Sequence, residues 1–85
     1  MKIVIETLNE ISTKEQLAEH ISSLRLSLEH ESNSWENISL EQYLEAMEAW
    51  ILDIDGYAKN LNDEAVLSPS WATFAKILSA AKVYE

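Results

Sequence analysis

One glycine (Gly56) and one proline (Pro69) in 85 residues leave this chain almost without the residues that tight turns and hairpins demand. That argues against a turn-rich all-β fold. Three segments instead repeat their apolar residues with the period of an α-helix. The first runs from about Thr13 to Glu29. Ser12 and Glu15 form a capping-box start, each side chain placed to bond the other's free backbone amide. Leu17, Ile21, Leu24 and Leu28 make a narrow apolar stripe, and the polar run from His30 to Asn33 closes the segment. The second begins at Ser39, with Gln42 in the matching capping position. Leu40, Tyr43, Leu44, Met47, Trp50, Ile51 and Ile54 fill one broad face. A face that wide can touch two neighbours, which predicts a central position for this helix. It ends at Gly56 or continues through Tyr57 to Asn60. The third opens with Ser68-Pro69, a hydroxyl cap before a proline at the first helical position. Its apolar face is Trp71, Phe74, Ala75, Leu78 and Ala81. Residues 60–67 read as a loop carrying Asp63 and Glu64.

The opening stretch, Met1 to Ile11, reads two ways. Ile3-Val4-Ile5 favours a strand, whereas Val4, Leu8 and Ile11 fit a helix. No other segment reads as β, so a strand here has no partner, and a short helix or an extended arm is expected. The predicted fold is all-α: a small bundle of three main helices with an N-terminal short helix or arm. One helical domain spans 1–85. By surface scaling such a chain buries about 64% of its surface, enough for a single core.

The sequence has no cysteine, which removes disulfides, thiolate metal sites and cysteine nucleophiles. No apolar run is long enough to span a bilayer. Lys2, then Ile3-Val4-Ile5, then Glu6 is too short and too soon acidic for a signal peptide, so a cytoplasmic location is expected. No cofactor or metal site is expected either. His20 and His30 stand about 80° and about 15 Å apart on a helix, too far to share an ion. They read as solvated polar pairs with Glu19 and Glu31. Asp53-Ile54-Asp55-Gly56 resembles the start of a calcium loop but lacks the downstream ligands. The chain is not expected to be an enzyme.

Charge supplies the functional clue. Fifteen Asp and Glu against six Lys and Arg give a net charge of −9. Such a surface repels nucleic acid and anionic membranes and attracts a basic protein partner. It also serves solubility, the simpler explanation. Projected at 100° per residue, Glu41, Glu45, Glu48 and Asp55 share a flank of about 80° on the second helix, with Leu52 inside it, and Asp53 is expected to assist them. An apolar residue ringed by carboxylates suits a contact site for a basic partner, one anchor with charge for steering. The alternative is an ordinary exposed leucine on an acidic helix. Leu26, opposite the first helix's stripe, poses the same question, and cover by the N-terminal arm is the economical answer. The three tryptophans read as core, with Trp35 either plugging the top of the bundle or exposed as a binding hot spot.

Trp35-Glu36-Asn37-x-Ser39-Leu40-x-x-Tyr43-Leu44-Glu45-Ala46-Met47-x-x-Trp50 resembles the signature of a family of small uncharacterised bacterial proteins, a domain of unknown function. The likeness continues through Tyr57, Ser70-Trp71-x-x-Phe74-Ala75-x-x-Leu78 and the ending Ala80-Ala81-Lys82-Val83-Tyr84-Glu85. It covers about the last 50 residues and carries no activity with it. Small acidic proteins of this kind are also similar to immunity proteins that neutralise basic nuclease toxins, and Trp35-Glu36-Asn37-x-x-Leu40 resembles the helix start of barstar-type ribonuclease inhibitors. The parallel strands of that fold are missing here. The expected function is non-enzymatic: an immunity protein covering a basic (nuclease-type) bacterial toxin through Glu41, Glu45, Glu48, Leu52, Asp53 and Asp55. The alternatives are a nucleic-acid mimic that inhibits a DNA- or RNA-binding protein, and a small structural or regulatory subunit.

Overall fold

The computed structural model describes residues 5–84, with the side chains of 8–84. The strand-or-helix question at Ile3 and Val4, and the Glu85 that closes the signature, lie outside the described residues. Every regular element among the described residues is helical. A 3-10 helix, Ile5–Glu10, leads to α1 (Lys14–His30) and a 3-10 turn, Ser32–Ser34. Then come α2 (Leu40–Leu52), α3 (Ile54–Asn60), a second 3-10 turn at Glu64–Leu67, and α4 (Trp71–Val83). The arm is thus helical from Ile5.

Local chemistry sets the helix ends. The α2 capping box forms as expected, Ser39 accepting from the Gln42 amide at 3.1 Å and Gln42 returning the bond. At α1 the cap falls one residue later than Ser12: Thr13 accepts from the Gln16 amide at 3.1 Å, while the Gln16 side chain accepts from the Ser12 amide at 2.7 Å. The returning bond thus reaches one residue past the cap, whereas in a capping box it goes to the cap residue's own amide. At α4 the cap is Ser70, accepting from the Thr73 amide at 3.0 Å, so Pro69 precedes the helix instead of opening it. The long second segment breaks at Asp53 (φ −95°, ψ 7°), and Gly56 lies inside α3. Beyond α3, Asn62 takes a left-handed φ of 53°, and the Asp63 amide donates back to the Ala58 carbonyl at 2.9 Å. This is the Schellman closure, which asparagine tolerates at that position.

The central element is α4 and not α2. It packs against α1, α2 and the 3-10 segments Ile5–Glu10 and Glu64–Leu67. Its buried residues are Thr73, Ala75, Lys76, Ser79, Ala80, Ala81 and Lys82, mostly small, which lets neighbouring backbones approach closely. No carboxylate occurs from residue 65 to residue 84, although the chain carries fifteen. That gap marks the segment as the one the acidic surface surrounds. The main core joins Trp50, Ala58, Val66 and Ala80, with Ile54, Tyr57, Ile77 and Tyr84 packed on it. Trp71 and Phe74, expected in the core, are 40% and 41% exposed and meet edge to face at 5.8 Å. Of the three tryptophans only Trp50 is buried.

In α1 nothing is fully buried. Leu26 is 53% exposed, because the described part of the arm packs on α4.

Candidate functional site

Most of the polar residues in the Trp-Glu-Asn stretch and its surroundings fasten the chain to itself. Asn37 donates through Nδ2 to the carbonyls of Ala81 (3.0 Å) and Tyr84 (2.8 Å). The amides of Glu36 and Asn37 both donate to the Lys82 carbonyl. Carbonyls left open at the end of α4 are thereby satisfied from a distant loop. Trp35 is half-buried: its indole N–H donates to Ser27 Oγ at 3.0 Å, and its ring lies 5.4 Å from the Lys82 ammonium. It plugs the end of the bundle. Burial pushes the Lys82 pKa down, and the charge of Glu31 partly opposes this. Tyr43 donates to the Leu78 carbonyl at 2.7 Å, and burial raises its phenol.

Two expectations about titratable groups change. Asp63 is no free loop carboxylate, since it holds the Lys76 ammonium at 2.6 Å. His20 turns inward, its Nε2 at 2.6 Å from Ser79 Oγ, and His30 pairs with Glu29 at 3.9 Å. A histidine beside a serine hydroxyl is the start of a nucleophile–base pair. Ser79, however, is 5% exposed between α1 and α4, so the bond serves packing. Burial lowers the His20 pKa below 6.5. The unfolded chain therefore binds the proton more readily, and this contribution to stability is complete above about pH 6.5 and shrinks as pH falls towards the folded-state value. Denaturant titrations from pH 7.5 to 5 should show wild type losing stability relative to His20→Gln. Parallel profiles would exclude the effect.

The sequence-selected residues fall into two groups. Glu41, Glu45 and Glu48 are exposed on α2, and Leu52 is 77% exposed at its end. No ion pair among the described residues engages the three glutamates. Asp53 belongs elsewhere: it occupies the break and accepts a hydrogen bond from the Tyr84 hydroxyl. That bond is the main cause raising the Tyr84 pKa, with burial and the carboxylate's charge adding to it. Asp55 is exposed but lies in the first turn of α3, so the continuous projection that aligned it with Glu48 stops at the break. The flank reduces to Glu41, Glu45, Glu48 and Leu52.

A feature missed in the sequence adjoins this flank. α1 and α2 each pack on α4, and a groove of about 350 Å³ opens beside them. Ile21, Leu24 and Leu28 of α1, Ile38 and Leu40 at the start of α2, and Leu78 of α4 line it. The helix 2 stripe is wider than α4 can cover: Tyr43 and Met47 are half-buried and Trp50 is buried, but Leu40, Leu44 and Ile51 stay 73%, 53% and 43% exposed. The width of that stripe was the available signal. Among the described residues no cluster of His, Asp and Glu could hold a metal ion, and no helix is long and apolar enough to cross a membrane.

Residues 13–85 match the model of a family of unknown function, DUF7660. The match begins at the cap of α1, well before the roughly 50 residues that carry the signature. No curated protein and no solved structure matches the chain.

Proposed function

The chain belongs to this family of unknown function, and we propose that it acts as a cytoplasmic immunity protein, neutralising a basic, nuclease-type bacterial toxin by covering part of its surface. One observation carries the reading: three glutamates that no ion pair among the described residues engages share the flank of α2 with a leucine that is 77% exposed, on a chain of net charge −9. Like charges at Glu41 and Glu45, four residues apart, cost the helix a few tenths of a kcal/mol, and a basic partner would turn that cost into attraction. Complementary charge speeds encounter and makes affinity fall with salt.

The test pairs this chain with a basic domain encoded beside it, chosen for its toxicity when expressed alone; finding no such domain would count against the reading. Co-expression should relieve the toxicity, and the double substitution E45K/E48K should slow association several-fold at low salt. An unchanged rate removes this flank. Competition with DNA or RNA for several unrelated binding proteins would favour the mimic instead.

A further inference from the structure

We infer that the groove beside α1 and α2 is the pocket into which the partner inserts an apolar anchor, with basic residues of the same segment lying across Glu41, Glu45 and Glu48. This rests on the inhibitor reading and adds the shape and chemistry of the bound segment. Four large apolar side chains that line the groove are exposed: Ile21 (38%), Leu28 (37%), Ile38 (59%) and Leu40 (73%). Contiguous apolar surface rimmed by charge marks an interaction site. A volume of about 350 Å³ compares with roughly 150 Å³ for a cavity that binds benzene. It therefore takes one or two large side chains and not a whole helix.

Charge selects the occupant. Around α2, Leu40, Ile51 and Leu44 lie at about 0–40°, and Glu48, Glu41 and Glu45 follow at about 80–140°, so the acidic flank borders the apolar lip directly. A second copy of the chain would bring another −9 against this rim. A basic segment is attracted to it. The α1 side has the opposite character: Arg25, the chain's one arginine, lines the groove, and no ion pair among the described residues engages it. The bound segment thus carries leucine or aromatic anchors in its middle, Lys or Arg towards α2, and a carboxylate or carbonyl acceptor towards Arg25.

The test uses the full chain, labelled with ¹⁵N and ¹³C-methyl, and two synthetic amphipathic peptides sharing Leu-Trp-Leu anchors, one with flanking lysines and one with glutamates. The lysine peptide should shift Ile21, Leu28, Leu40, Leu78 and the Trp35 indole. Leu40→Asp should weaken its binding at least ten-fold, and E41K/E45K several-fold at low salt. Leu40 is 73% exposed in the first turn of α2, where an aspartate favours the helix, so the variant keeps its fold. Equal binding of the glutamate peptide, shifts confined to another face, or a concentration-dependent dimer abolished by Leu40→Asp would each overturn the inference. Toxin neutralisation that survives Leu40→Asp but not E45K/E48K would overturn the groove and keep the flank. Peptide binding in the groove without toxin relief would keep the groove and overturn the inhibitor reading.

Discussion

Asp63→Ala is expected to cost about 3–5 kcal/mol, the range for removing one partner of a buried ion pair. Lys76 sits in the middle of α4 at 1% exposure, and its ammonium meets Asp63 at 2.6 Å. Without the carboxylate the ammonium stays buried with no charge to balance it. For a domain of this size such a loss lowers Tm by roughly 4–8 °C per kcal/mol, and total stability is itself only about 5–15 kcal/mol. Lys76→Met should behave quite differently. It keeps most of the side-chain volume, and the Asp63 side chain is 20% exposed and can turn to water. The cost should be under about 1 kcal/mol, or the change should stabilise. The double variant should recover most of what Asp63→Ala loses, giving a large coupling energy in urea titrations. A single-variant cost below about 1 kcal/mol would mean that the ammonium finds other solvation.

Asn37→Asp is the second large effect, on the order of 2–4 kcal/mol, from a change of one atom in shape. Nδ2 donates to two carbonyls at the end of α4. A carboxylate offers only acceptors, so both carbonyls lose their donor and face a negative charge instead. The C-terminal end of a helix dipole is itself negative, which adds to the penalty. Asn37→Ala removes the same bonds without the repulsion and should cost less than Asn37→Asp. Thermal melts at pH 7 of both variants give the ordering. The reverse order would show that the side chain acts by filling space.

Asn37 and several other residues of the Trp-Glu-Asn pattern thus serve the fold. Asn37 closes α4, Tyr43 bonds the Leu78 carbonyl, Trp50 fills the core, and Ser39 and Ser70 cap helices. Such residues specify the fold, while Glu41, Glu45, Glu48 and Leu52 stay exposed on α2.

The sequence by itself determined the all-α class, the approximate spans of α1, α2 and α4, and the run of glutamates along α2, but not the separate α3. Each depends on periodicity and capping within a few turns of one chain, where residues three and four apart must be neighbours. Even there, Asp55 was lost to the flank because a break at Asp53 interrupts the period. Only the tertiary structure decided which helix lies at the centre, which part of each apolar face is covered, and that Asp63 neutralises Lys76 thirteen residues away. Those outcomes depend on which faces meet. α4 presents small side chains that two helices can approach closely, while the wide stripe of α2 exceeds what one neighbour can cover, and the surplus became the lip of the groove.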